Sequence, residues 1–321
     1  MREPGTIPYR KPLWKRRIGH SRHCLANVPS SKAARKQVPG TSRPTAMLGV
    51  IGGTSLFHSQ RFAGFDRRHV HTPYGEVVCY CDSTEPSLVF LQRHHADAHR
   101  GVDAYTPPHR INHRANLYAL KQVGVDRCVG VYSVGSLNPA IRVGTCVLTH
   151  DFCSLAQLCR AETFYDEDMR GHAVIRFDQT LRDRVLTSLK DLSAASQVGD
   201  SKTAETSSKQ SFVMASTASA AMSFHDGGVY VQTAGPRFET PAEVRMLRTF
   251  GDVVGMTGAS EAVCCGELGI PYMQVCFVDN LANGLISGAE QTEIAEFHDN
   301  VKANLKRVEV IIDRVIETLR H

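Results

Sequence analysis

The sequence predicts an α/β fold: a single domain built on a mixed central sheet with flanking helices. Three observations carry this. Short apolar runs bounded by Gly, Pro, Asn or Asp recur between residues 47 and 281. Stretches with helical periodicity separate several of them, and the chain closes on a long amphipathic helix. Strands alternating with helices favour mostly parallel pairing, because parallel neighbours need a crossover between them.

With 321 residues, 42% hydrophobic and 21% charged, the chain can bury a sizeable core. Its net charge of +5 is unevenly spread, since residues 1 to 46 hold eleven Lys or Arg and one acid, Glu3. That basic, Ser- and Pro-containing leader reads as a disordered tail; an organelle transit segment and an over-extended start before Met47 stay open. It has no interleaved aromatics, so no nucleic-acid partner is expected. No apolar run approaches the roughly 20 residues of a membrane span, so no membrane partner is expected either. The ten cysteines include no CxxC pair, and several lie inside strand-like runs. They read as reduced, buried thiols, which places the protein in the cytoplasm, or in an organelle if the leader is a transit segment.

The domain itself is expected to span residues 47 to 321. "AMLGVIGG" opens it as a strand ending in paired glycines. Further strands are expected at "GEVVCYC", "SLVFLQR", "RCVGVYSVG", "TCVLTHDF", "GGVYVQTAG", "DVVGMTG" and "YMQVCFVDN". Helical patterns lie at "INHRANLYALKQVG", "QTLRDRVLTSLKDL", "PAEVRMLRTFG" and "SEAVCCGELG". In the last segment Ile294, Phe297, Val301, Leu305, Val308, Ile312 and Val315 recur at spacings of three and four, an apolar stripe on one long helix. Residues 194 to 222 are rich in Ser, Thr and Ala with little to bury, and read as a surface insertion.

The densest chemistry lies in "FLQRHHADAHRG", residues 90 to 101. One reading is a metal site. His95, Asp97 and His99 alternate, so one strand face would present all three. No second cluster completes the shell, "HVHT" at residues 69 to 72 being the nearest match. A solvated basic loop is the second reading. The third is a phosphate site: Arg93 offers a forked permanent cation and His94 an imidazole. Two other strand ends would serve it. The glycines of "IGGTS" let backbone N–H groups approach an anion, Thr54 adds a hydroxyl, and "YSVGS" supplies a second small-residue turn at Ser133. None contains a nucleotide-binding signature.

Longer stretches go further. "GVIGGTSLF", "LQRHH", "PPHRINHRANLYALKQVGV", "VYSVGSLNPAIRVGTCVLTHDF", "QTAGPRFETPAEVRMLRTFGDVVGMTGASEAVCCGELGIPY" and "VCFVDN" resemble, in order, the trimeric branch of the purine nucleoside phosphorylase and methylthioadenosine phosphorylase family. Features of methylthioinosine phosphorylases are among them, such as "NLANG". The resemblance covers about residues 47 to 320 and is most specific from Ala234 to Glu261.

The resemblance implies phosphorolysis of a purine nucleoside to free base and a sugar 1-phosphate, in a homotrimer, with inorganic phosphate as co-substrate and no metal or other cofactor. It gives Thr54, Arg93, His94 and Ser133 to the phosphate, stacks Phe238 on the purine, and sets Met256 and Thr257 at the ribose. It implies that Glu239 and Asn280 bind a 6-oxopurine, and makes these two and His94 the catalytic candidates. A 5′-methylthioadenosine enzyme would carry a hydroxyl residue and an aspartate there instead. Glu239 read without the resemblance is a helix-capping residue, and Asn280 a turn residue. Gln291 falls where the 5′ group is recognised, leaving 5′-hydroxyl and 5′-methylthio both open. His172 is the nearest match to a pocket residue lent by a neighbouring subunit.

The chain departs from the family pattern at His95, where glycine is usual, at Tyr132 and Ser133, where smaller residues stand, and through about six extra residues near "GVDAYT". Those departures keep two readings outside the family in play: a metallohydrolase, and a purine-binding relative without turnover.

Overall fold

The computed structural model describes residues 46–84, 87–101, 104–155, 162–166, 172–202, 223–286 and 294–320. Residues 1–45 of the leader, residues 203–222 of the Ser/Thr-rich stretch and Gln291 lie outside them.

Four strands make the centre: β1 (Leu48–Gly52), β4 (Leu88–Gln92), β5 (Arg127–Ser136) and β11 (Tyr272–Leu281). β4, β1, β5 and β11 lie side by side in that order and all run parallel. Around them β2 (Asp66–Thr72) and β3 (Gly75–Cys81) form an antiparallel hairpin that extends the sheet beyond β4. β10 (Val253–Gly255) joins β5 antiparallel, then β9 (Val229–Gln232) and β7 (Asp151–Ser154) follow in parallel. β6 (Cys146–Leu148) crosses β11 antiparallel and pairs with β8 (Phe224–Asp226). The sheet is therefore mixed.

The central strands are apolar on both faces because helices cover both. Leu48 and Val50 of β1, with Leu88 and Phe90 of β4, face α2 (Gln179–Lys202) and α5 (Ile294–Arg320), which pack together through Leu181, Val185, Val308, Ile312 and Val315. Ile51, Val89 and Leu91 point the other way, onto α1 (His113–Gln122) and α4 (Gly258–Glu267). Asn112 caps α1 by accepting from the Ala115 amide. α3 (Pro241–Leu247) opens on a capping box between Thr240 and Glu243.

Two strands escaped the sequence reading. β2, "DRRHVHT", is exposed at five of its seven positions, so it shows no apolar alternation. β8 is only three residues long. α2 runs on to Lys202, so the first nine residues of the Ser/Thr-rich stretch continue a helix.

Candidate active site

β5 is longer than the strand beside it, and that mismatch opens the site. Along one edge its partners are β1 up to Ile51↔Gly130, and then β10 from Val254↔Gly135. Between these pairings a cavity of about 490 Å³ opens, and Tyr132, Ser133, Val134 and Gly135 line it. The turns after β1, β4, β9 and β10 and the end of β11 close around the same space, near the carboxyl ends of the parallel strands where α/β sheets collect ligands. Thr54, Arg93, His94, Ser133, Phe238, Glu239, Met256, Thr257 and Asn280 all line this one cavity.

On the side of β1 and β4 the chain is packed too tightly for any residue but glycine at position 53. A Cβ there would run into Nη1 of Arg93. Arg93 is buried and largely spent on the protein itself. Nε and Nη2 donate to the two carboxylate oxygens of Glu261, at 2.6 and 3.2 Å. Nη2 also donates to the Ile51 carbonyl at 3.1 Å and Nη1 to that of Val131 at 2.9 Å. Four of its five N–H groups are thus committed, and one on Nη1 remains. Tyr132 lies 4.4 Å from the guanidinium, ring face on, and gives its hydroxyl to Glu261. Arg93 therefore offers an anion one donor rather than a fork.

His94 is neutral. Its Nδ1 lies 2.8 Å from the Thr106 carbonyl, which can only accept, so Nδ1 carries the proton and Nε2 is bare. Burial, then the charge of Arg93, pushes its pKa down to about 3. The ring stacks on Tyr105 at 4.9 Å, and Nε2 faces the Gly53 turn. Ser133 hydrogen-bonds Ser55 through their hydroxyls at 2.7 Å. This side thus gathers the Gly52–Thr54 turn, two serine hydroxyls, an imidazole lone pair and one guanidinium N–H.

The opposite side is set by Gly235, whose positive φ starts the turn "GPRFET" after β9. The capping box and the two-bond pair of Arg237 with Glu243 hold that turn. The cap is thus Thr240 with Glu243, and Glu239 is free of that duty. Glu239 is buried, with Oε1 accepting from the Thr233 hydroxyl at 2.6 Å. Phe238 meets Phe297 of α5 edge to face at 5.6 Å. Asn280 is no turn residue either: it sits within β11 just after a bulge, where the register on β5 jumps from Val278 to Asn280 and leaves out Asp279. Its side-chain amide donates to the Leu281 carbonyl at 3.0 Å.

The alternating strand face that would have held a metal does not form. Residues 95 to 99 fold as turns with a single bridge at Asp97, whose carboxylate accepts from the His99 amide. Among the described residues no group of three His, Cys, Asp or Glu is placed to hold a metal ion. His172 is exposed and is not among the cavity residues. Phe57, Tyr105, Phe297 and His298 line it too; Tyr105 lies in the extra loop, Phe297 was visible only as part of an apolar helix stripe, and Phe57 and His298 had no signal in the sequence. Glu261 and Asp279 act from behind the lining, where only the tertiary structure shows them.

A mixed sheet whose parallel centre ends on a glycine turn, with a buried arginine–glutamate pair behind a polar cavity, defines an α/β fold of the ligand-binding kind. The model of the phosphorylase superfamily matches residues 48–317, and the chain belongs to that family. A probable 6-oxopurine nucleoside phosphorylase of Archaeoglobus fulgidus is 32% identical over 274 residues, covering 84% of this chain and 98% of its own. A probable S-methyl-5′-thioinosine phosphorylase of Methanothermobacter thermautotrophicus is 36% identical over 281 residues, 85% of each chain. Among solved structures, methylthioadenosine phosphorylase from Schistosoma mansoni in complex with adenine superposes with a TM-score of 0.67 at 22% identity, covering 85% of this chain and 91% of that one. That likeness is one of fold.

Proposed function

We propose that the protein is a phosphorylase of 6-oxopurine nucleosides, releasing the free base and a pentose 1-phosphate. The observation that carries this is the pairing of Glu239 with Asn280 across one cavity from the Gly52–Thr54 turn, His94 and Ser133. The names of the similar proteins, 6-oxopurine nucleoside and methylthioinosine phosphorylases, support it.

In this reading an oxygen of phosphate attacks C1′ while the C1′–N9 bond breaks, and the bonding electrons leave with the purine. The free oxygen of Glu239 accepts from N1–H, and the Asn280 N–H not given to the Leu281 carbonyl donates to the N7/O6 edge, where negative charge collects as the base departs. Phe238 stacks on the purine, and Met256 and Thr257 border the sugar. Phosphate lies against the Gly52–Thr54 turn. The bare Nε2 of His94 accepts a hydrogen bond from the O–H of a monoprotonated phosphate, which keeps its proton, and so fixes which of its oxygens attacks. Phosphate is the co-substrate, and no cofactor enters any step. A homotrimer is the assembly that the family resemblance favours, with light scattering at three chain masses as its test. No helix of the described residues is long and apolar enough to cross a membrane. Free, mostly buried cysteines favour the cytoplasm, or an organelle if the leader is a transit segment.

The deciding experiment measures base release from inosine, guanosine, 5′-methylthioinosine and 5′-methylthioadenosine, each with and without phosphate. Phosphate-dependent release from the 6-oxopurine substrates supports the reading, and the better of the two 5′ groups defines the natural sugar. Release from methylthioadenosine alone would overturn the roles of Glu239 and Asn280.

A further inference from the structure

Asp279 is the residue that the β11 bulge leaves without a partner on β5. It is 1% exposed, and no charged group compensates it. Oδ1 accepts from the Asn304 amide at 2.8 Å, and Asn300 donates to its backbone carbonyl at 2.9 Å, both from α5. Oδ2 is buried with no hydrogen-bond partner among the described residues. The hydroxyl that acts on this carboxyl is that of Ser133, which also lines the cavity and touches Ser55. A buried carboxyl with one oxygen anchored to α5, the other unpartnered, and a cavity hydroxyl acting on it is unusual for a purely structural residue.

We infer that Asp279 is a positioning residue for the anion side of the cavity: through Ser133 it sets whether that side offers phosphate a hydrogen-bond donor or an acceptor. The inference rests on the phosphorolysis reading. When the carboxyl is protonated, its O–H donates to Ser133 Oγ, and the serine proton is released to bond the anion. When it is ionised, Oδ2 draws the serine proton to itself. Ser133 then turns a lone pair toward the phosphate, which repels it.

Burial raises the Asp279 pKa to about 6, so the reversal falls within the pH range of the test below. The ionisable groups on the neighbouring elements include Arg93 and His94 after β4, Glu239 after β9, and His298, Asp299, Lys302 and Arg307 on α5. None of them acts on the carboxyl; burial dominates, with Asn304 and Ser133 opposing it.

The test is the KM for inorganic phosphate between pH 5.5 and 7.5 in the wild type, Asp279→Asn and Ser133→Ala, with a 6-oxopurine nucleoside held saturating. In Asp279→Asn the amide oxygen still accepts from Asn304 and its NH2 donates to Ser133, which holds the donor state. Comparing variants at one pH removes the ionisation of phosphate itself. The wild-type KM should match that of Asp279→Asn at pH 5.5 and exceed it about tenfold at pH 7.5, with kcat changed far less. Ser133→Ala should be about tenfold weaker than wild type at pH 5.5 and approach it at pH 7.5. Should Asp279→Asn fail to fold, the Ser133→Ala ratio alone decides. Ratios that stay constant with pH overturn the inference while leaving phosphorolysis intact. Absence of phosphate-dependent release at every pH overturns the phosphorolysis reading, and this inference with it.

Discussion

Arg93 and Glu261 form a buried two-bond ion pair beneath the cavity, with side chains 2% and 1% exposed. Arg93 comes from the end of β4 and Glu261 from the first turn of α4, 168 residues later. The pair ties the helix to the sheet and holds the glycine turn through Ile51.

Removing one partner leaves the other charge buried. Glu261→Ala should therefore destabilise the fold by roughly 3–5 kcal/mol in denaturant unfolding. A loss below about 1 kcal/mol would mean that water reaches the guanidinium and that the site is more open than described.

Gly53 is the close-approach glycine of that arrangement. Gly53→Ala would force Arg93 out of its place against the turn. Phosphate-dependent turnover should fall by at least about a hundredfold, equivalent to roughly 2.7 kcal/mol. Full activity in this variant would show that the turn does not hold the anion.

His94 makes the stability depend on pH. Its folded pKa of about 3 lies below the ordinary value of 6.5. Between the two, the unfolded chain binds a proton that the folded protein excludes. This group therefore costs no stability above about pH 6.5 and lowers stability as pH falls below it, by up to about 1.4 kcal/mol per unit. Unfolding of wild type and His94→Gln at pH 7.5, 6 and 5 should show the wild type losing ground on the acid side. Parallel curves would count against a buried neutral imidazole.

Asp279 has the opposite sign. Its folded pKa of about 6 lies above the ordinary 3.8, so the folded protein holds a proton that the unfolded chain releases between them. Stability from this group is complete below about pH 4 and lost as pH rises through 6. Asp279→Asn should accordingly be more stable than wild type at pH 7.5, by about 1–3 kcal/mol, and level with it near pH 4. An Asn variant equally stable at both pH values would place the carboxyl in contact with solvent.

Base choice is predicted to follow two positions. Glu239→Gln should lower kcat/KM for inosine by about a hundredfold or more, because N1–H loses its charged acceptor. Asn280→Asp should shift preference toward a 6-aminopurine, read as the ratio of kcat/KM for methylthioadenosine to methylthioinosine. An unchanged ratio would remove Asn280 from base recognition.

Most of the fold was legible in the chain, because buried strands and amphipathic helices must repeat apolar residues at a fixed period. β1, β4, β5 and β11 were visible as apolar runs, and α5 as a stripe from Ile294 to Val315. β2 was not, since an edge hairpin facing water carries no such pattern. The site was legible as far as residue types at strand ends reveal it. Thr54, His94 and Ser133 could be chosen in advance on that ground, Glu239 and Asn280 only through the family resemblance, and all five meet in one cavity.

What the chain alone could not decide was how each polar group is used. Arg93 is a forked cation in sequence, yet four of its donors go to Glu261 and two carbonyls, a fact set by residues up to 168 positions away. His94 is an imidazole in sequence, and only the carbonyl of Thr106 makes it a bare acceptor. Asp279 is an ordinary acid in sequence; a one-residue bulge buries it against α5 and Ser133. Periodicity is a local property, so sequence determines it. Hydrogen-bond direction and charge state depend on burial and on the partner across the fold, and those belong to the tertiary structure.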